Sequence, residues 1–346
     1  MDPVFSAPPD SSLLDSFGRR TSYLRISVTD RCNFRCLYCR GRFDNTVSHS
    51  DILRYEEIEV LLGIAVQTGV RKVRFTGGEP FVRKGFMPFL ERIREAFPTL
   101  ALHVTSNGTM PADSAARLKA LDVRVNLSLD TLRRDRFTAI TGVDALSAVQ
   151  ANITRLLDLG VPFKLNAVAM RGVNDDELPD FLNLAFTLPV EVRFIELMPM
   201  GAGAERNSGL FLPARSLEDR ARSLYKLLPL QPLQPDFGPA RVWRLRDASG
   251  RLSTGTFGLI SSVTRNACAA CNRLRLTSEG NLRTCLFDNR EYRLRPALRH
   301  PKLGPDAVRE IWKRCVARKP VGAWLLDKDH PMRTPVTKRC MVSIGG

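Results

Sequence analysis

The sequence predicts an α/β protein: a partial, TIM-like (β/α)6 barrel followed by a hairpin-rich C-terminal region. Three observations carry this. Short β-rich runs alternate six times with helix-period segments between Leu24 and Met198, the pattern of parallel strands joined by helical crossovers. The rhythm stops at Pro229–Pro239, where four of eleven residues are proline, a composition that suits a connector. Beyond it, the turn tripeptides Ala248-Ser249-Gly250 and Ser278-Glu279-Gly280 separate short strand-like runs, which read as hairpins.

Taken in order, residues 1–21 are rich in Pro, Ser and Asp and read as a loose leader. Strands are expected at Leu24–Thr29, Lys72–Thr76, Leu102–Ser106, Arg124–Leu129, Pro162–Val168 and Val192–Met198. Tyr55–Gln67 reads as a helix because Ile58, Leu61, Leu62 and Ala65 share one face. Phe89–Phe97, Ala112–Leu121, Ala145–Leu159 and Asp176–Leu188 follow the same period. In such a barrel the functional loops lie at the C-terminal ends of the strands. The C-terminal hairpins pair Val242–Arg246 with Leu252–Phe257 and Arg273–Thr277 with Asn281–Leu286, and a helix is expected near Pro305–Lys319. The organisation is thus a leader (1–21), a barrel (22–235) and a C-terminal region (236–346).

The chain has 346 residues, 44% apolar and 25% charged, within the range of globular proteins. No apolar run reaches the length of a membrane span, and Met1-Asp2-Pro3 opens without a secretory pattern. The expected compartment is the cytoplasm, so the eight cysteines should be thiols or metal ligands. A formal charge of +16 favours phosphate-bearing partners. There is no Gly-x4-Gly-Lys-Ser/Thr phosphate loop, and Gly201-Ala202-Gly203 lacks a third glycine at residue 206.

Cys32, Cys36 and Cys39 form Cys-x3-Cys-x2-Cys just after the first strand. Three thiolates can hold one face of a [4Fe–4S] cubane and leave the fourth iron open for a ligand. A structural zinc site would want a fourth ligand. The run Cys32-Asn33-Phe34-Arg35-Cys36-Leu37-Tyr38-Cys39, with Gly77-Gly78-Glu79-Pro80 closing the second strand, resembles the radical S-adenosylmethionine (SAM) enzymes. That resemblance implies SAM bound to the open iron, Tyr38 near its adenine and Gly78 beside its amino-acid part.

Cys268-x2-Cys271-x13-Cys285 lies among the C-terminal hairpins, and on spacing alone zinc serves as well as iron. Its surroundings, Phe257-Gly258-Leu259-Ile260, Cys271–Thr277 and Leu282–Phe287, together with Arg25–Cys39 and Phe194–Pro199, resemble the GTP 3′,8-cyclase family from about Tyr23 to the terminus. One departure is that Cys39 precedes Arg40-Gly41-Arg42 where the family has Met-Pro. Cys315 and Cys340 match no ligand position and read as ordinary thiols.

The resemblance implies a second [4Fe–4S] cluster on Cys268, Cys271 and Cys285, whose open iron meets guanine. It implies SAM contacts at Tyr38, Gly78, Ser128 and Met198, and GTP contacts at Arg25, Arg74, Thr105, Lys164, Arg273 and Arg275, with Arg193 as a further candidate. Arginine suits the phosphates because its planar fork matches their oxygens. The implied reaction is one-electron SAM cleavage, hydrogen abstraction from C3′ of GTP and attack on guanine C8, the first step of molybdenum cofactor synthesis. The implied partners are GTP, an external electron donor and the downstream cyclic pyranopterin monophosphate synthase; a homodimer is left open. The ending Ile344-Gly345-Gly346 resembles the family's tail, which reaches the active site. Two rivals remain: a peptide-maturing radical SAM enzyme with an auxiliary cluster, against which the Asn272–Thr277 arginine strand speaks, and a zinc-stabilised RNA-binding protein. The latter lacks aromatics interleaved with its basic strands, only 8% of residues being aromatic.

Overall fold

In the computed structural model, residues 13–39, 47–200, 207–230, 238–265 and 267–322 are described, with Thr337, Arg339, Met341 and Ile344. Alternation sets how the strands sit. In β1 (Tyr23–Thr29), Leu24, Ile26 and Val28 are fully buried in the core, while Tyr23 and Arg25 turn to an internal cavity. The division repeats in β2 (Lys72–Gly77), where Val73 and Phe75 oppose Arg74 and Thr76. It repeats again in β3 (Ala101–Ser106), β4 (Arg124–Ser128), β5 (Phe163–Ala169) and β6 (Glu191–Glu196).

Helices α1 (Tyr55–Gln67), α2 (Phe86–Ala96), α3 (Ser114–Ala120), α4 (Arg134–Thr141), α5 (Leu146–Asp158) and α6 (Leu178–Thr187) connect these strands. Phe75 of β2 packs edge-on to Phe89 of α2, with ring centroids 5.3 Å apart, and burying each ring contributes roughly 1.5–3 kcal/mol. After β6 come α7 (Ala214–Leu224), β7 (Lys226–Pro229), β8 (Arg241–Arg246), β9 (Thr256–Ile260), β10 (Arg273–Leu276), β11 (Asn281–Arg283), β12 (Tyr292–Arg293), α8 (Arg295–Arg299) and α9 (Gly304–Ala317). Among the described residues no helix is long and apolar enough to cross a membrane.

Among the described residues, twelve strands form one open sheet, ordered β12-β11-β10-β1-β2-β3-β4-β5-β6-β9-β8-β7. The six barrel strands run parallel in sequence order, as expected. The C-terminal strands do not form a separate sheet. β10 adds in parallel beside β1, and β9 adds in parallel beside β6, so the two hairpins extend opposite edges. The first hairpin is also shifted: β8 pairs with Thr256–Ile260, and Leu252 makes only a bridge to Arg246. Helices α4 and α7 were not expected. α4 is short and mostly polar and buries only three residues, so it shows no strong apolar stripe. α7 does carry one, which was missed: Ala214, Leu217 and Ala221 are buried on a single face.

Within the stretch read as leader, residues 13–21 are packed. Leu14 bridges Arg20, Leu13 N donates to Thr68 O at 3.1 Å, and Arg19 pairs with Asp15 at 2.6 Å. At the other end, Arg299 of α8 donates to Glu57 of α1 at 2.6 Å and ties the C-terminal helices to the first.

Candidate active site

The loop carrying the first cysteines is anchored by α4. Arg35 N and Leu37 N donate to Thr141 O and Ile140 O at 2.8 and 3.0 Å, and Phe34 packs edge-on to Phe137. Cys39 N donates to Cys36 O, closing the Cys-x2-Cys turn. Cys32, Cys36 and Cys39 all border a cavity of about 1220 Å³ on the interior face of the sheet. Burial pushes the Cys36 thiol up, and Asp130, Cys39 and Cys32 push it further. Burial and neighbouring negative charge thus favour the neutral thiol, and the thiolate form would need a bound cation beside it.

Gly78 is set by a close crossing. Its N donates to Thr29 O at 2.7 Å, and a Cβ there would stand 2.0 Å from Arg31 O. The exit of β2 is thus pressed against the chain that leads into Cys32. The neighbouring Glu79 is buried and accepts from Phe81 N, Ser106 Oγ and Asn107 N, joining the exits of β2 and β3. Burial nevertheless pushes its carboxyl up to about 7.

Tyr38 is fixed by a residue that the motifs did not point to. Its hydroxyl donates to Asp130 Oδ2 at 2.8 Å, and Asp130 Oδ1 accepts from Val168 N. Burial raises the Asp130 carboxyl to about 6. Ser128, at the end of β4, and Met198, just beyond β6, border the same cavity. Glu196 accepts from Ala214 N, Val263 N, Thr264 N and the Thr264 hydroxyl, so it joins the end of β6 to the chain approaching the second cysteine group.

Cys268, Cys271 and Cys285 border a recess of about 80 Å³ that shares Met198, Arg273 and Arg275 with the main cavity. Cys271 N donates to Cys268 O, repeating the turn of the first group. Among the described residues no three His, Cys, Asp or Glu side chains close around a single ion; what Cys268, Cys271 and Cys285 share is the recess that all three line. Burial pushes the Cys271 thiol up, but Lys319 and Arg273 outweigh it and bring it down to about 6. Cys315 is buried in α9 away from both groups, and burial raises its thiol to about 12. Cys340, the loop Arg40-Gly41-Arg42 and the Gly345-Gly346 tail lie outside the described residues.

Strand register assembles the basic wall. Arg275, Arg25 and Arg74 stand side by side, Arg25 pairing with both neighbours. Burial lowers Arg25 to about 10 and Arg275 further, and the neighbouring arginines add to both. Arg74 is held by Tyr23 Oη at 2.6 Å, by Thr105 Oγ1 at 3.3 Å and against His103 Nδ1 at 3.3 Å. Burial, then Arg74 and Lys72, lower His103 to about 2, so its ring is neutral. Arg275 Nη1 donates to Ile344 O, one residue before the glycine tail. Lys164 and Arg193 both pair with Glu191, which partly neutralises them. Tyr23, His103, Asp130 and Glu191 were missed. Strand alternation could have found Tyr23, His103 and Glu191, since each sits two residues from a predicted contact on the same face.

Residues 26–185 match the radical SAM superfamily, and residues 190–324 match the family described as Molybdenum Cofactor Synthesis C. The chain is similar to the GTP 3′,8-cyclase of Heliobacterium modesticaldum, 41% identical over 96% of this chain and 100% of the relative. It is 43% identical to that of Geobacter sulfurreducens over 89% of this chain and 93% of the relative. Among solved structures, Streptococcus suis SuiB bound to S-adenosylmethionine aligns with a TM-score of 0.57, covering 92% of this chain and 77% of that one; at 14% identity this shows the fold alone.

Proposed function

The chain belongs to the GTP 3′,8-cyclase family of radical SAM enzymes, and from that membership we propose how its residues divide the work. The reaction converts GTP to (8S)-3′,8-cyclo-7,8-dihydroguanosine 5′-triphosphate, the first step of molybdenum cofactor biosynthesis, with SAM and two [4Fe–4S] clusters. The clusters and SAM, when bound, supply the electron transfer and radical chemistry.

In this reading Cys32, Cys36 and Cys39 hold the first cluster, and Cys268, Cys271 and Cys285 the second. Tyr38, steadied by Asp130, offers a ring face to adenine. Gly78 brings bare backbone to the amino-acid part of SAM, while Ser128 and Met198 border the rest. Arg25, Arg74, Arg273 and Arg275 take the triphosphate. Thr105 steadies Arg74, and Lys164 and Arg193 contribute through the pair they share with Glu191. Crowded, buried guanidiniums are costly without an anion, so the wall is prepared for phosphate. Arg275 also holds the Ile344 carbonyl, which brings residue 344 to the arginine row. We also place the enzyme in the cytoplasm, fed by an external electron donor and passing its product to the cyclic pyranopterin monophosphate synthase.

One observation carries the assignment: the first cysteine triad and the arginine row border one cavity, and the recess of the second triad shares its wall. The test is anaerobic incubation of the reconstituted enzyme with SAM, dithionite and each nucleoside triphosphate, followed by mass spectrometry. GTP alone should yield a cyclised product together with 5′-deoxyadenosine. Cyclisation of another nucleotide, or 5′-deoxyadenosine with no nucleotide product, would refute the substrate assignment.

A further inference from the structure

Behind the second cysteine triad lies a lysine that the reaction chemistry has not used. Lys319 is only 1% exposed. Its Nζ donates to Thr284 O at 2.6 Å, to Arg273 O at 2.8 Å and to Cys271 Sγ at 3.6 Å. Three acceptors match the three N–H donors of an ammonium group. Thr284 immediately precedes Cys285, and Arg273 stands two residues after Cys271. One cation therefore spans two of the cysteine-bearing segments.

The third segment is held by Arg19. Its guanidinium donates to Cys268 O at 2.8 Å, to Pro320 O at 2.9 Å and to Lys319 O at 3.1 Å, with Asp15 as its ion partner. The chain after Lys319 then presses on Cys285: a Cβ on Gly322 would stand 2.4 Å from Cys285 Sγ. Residues 319–322 thus close over the triad, with a buried positive charge on the sulfur side.

We propose that Lys319 is a positioning residue for the second cluster, whose ammonium charge and hydrogen bond to Cys271 raise that cluster's reduction potential. This rests on reading Cys268, Cys271 and Cys285 as the ligands. Reduction adds one negative charge to a cluster already ringed by thiolates. A fixed cation and a donor to sulfur favour that reduced state, two of the levers by which proteins set such potentials.

The experiment is a potentiometric titration of the reconstituted holoenzyme, followed by electron paramagnetic resonance, with the first cluster as internal reference. Wild type, Lys319→Gln and Lys319→Arg are compared. Lys319→Gln should shift the reduction equilibrium of the second cluster about tenfold towards the oxidised form, which is about 59 mV for one electron. The first cluster should not move, and Lys319→Arg should restore the wild-type potential. An unshifted second cluster in Lys319→Gln, or equal shifts in both clusters, would overturn the proposal. Should Lys319→Gln fail to take up the second cluster, uptake by Lys319→Arg at the wild-type potential supports it, and failure of both variants overturns it in favour of a steric role. Wild-type protein that takes up only one cluster would refute the ligand assignment itself, and the proposal with it.

Discussion

Replacing Tyr23 with phenylalanine removes one oxygen from the basic wall, and the structure says what that oxygen does. Tyr23 Oη accepts from Arg74 Nε at 2.6 Å, Lys72 Nζ lies 5.0 Å from the ring centroid, and Arg25 is close enough to act on the phenol. Burial alone would push the phenol up, but Arg74, Arg25 and Lys72 outweigh it and bring it down to about 7. Near pH 8 the phenolate is therefore a counter-ion for the arginine row. A triphosphate occupies the same cations and cancels their field, so the phenol recovers its proton. The bound state then holds a proton that the free state lacks, binding consumes a proton, and affinity falls as pH rises above about 7. Complete coupling sets the limit at tenfold in Kd, about 1.4 kcal/mol, for each pH unit. The assay is isothermal titration calorimetry of GTP into oxidised, SAM-free holoenzyme, run anaerobically in buffers of different ionisation enthalpy. The useful window begins well above pH 6, near which a phosphate loses its last proton at about pKa 6. Wild type should take up close to one proton per GTP near pH 8 and bind more weakly as pH rises. Tyr23→Phe should take up none and show a flat profile. Equal proton uptake by the two proteins would refute the reasoning.

Alanine at Cys32, Cys36 or Cys39 should abolish 5′-deoxyadenosine formation, and a normal yield would remove the first-cluster reading. Alanine at Cys268, Cys271 or Cys285 should cost about half the iron, because two cubanes are expected, while SAM cleavage survives; unchanged iron would count against the second site. Gly78→Ala places a methyl where Arg31 O already lies, 2.0 Å away, so it should lower the thermal midpoint and the iron retained at the first site. A full iron complement with an unchanged midpoint would contradict that. Arg25→Ala and Arg275→Ala should each weaken GTP binding about ten- to hundredfold, the worth of a charge-assisted contact of about 1.5–3 kcal/mol, with iron unchanged. Calorimetric affinities equal to wild type would place the phosphates elsewhere.

What could be read from the sequence was local, and what could not was long-range. The strands β1 to β6 announce themselves because each alternates over a few residues, and the cysteine triads because a cluster face needs its ligands close together in the chain. Helix α4 is also local, yet eight mostly polar residues carry too little periodicity to be recognised, and its value is non-local: its last carbonyls hold the loop of Cys32–Cys39. The basic wall is a matter of register. No short pattern says that β10 lies in parallel beside β1, pairing Arg275 with Arg25 across about 250 residues of chain, and without that pairing the arginine row has no third member. The cradle behind the second triad is further from reach, because Arg19 and the Lys319 carbonyl meet across 300 residues. The first cysteine group therefore points to a cluster by its spacing, and the second does so only together with the residues around it. The charges that set how that cofactor behaves come from segments that only the folded sheet brings together. A motif match can thus identify the chemistry of this chain while leaving its phosphate affinity and its cluster potential unspecified.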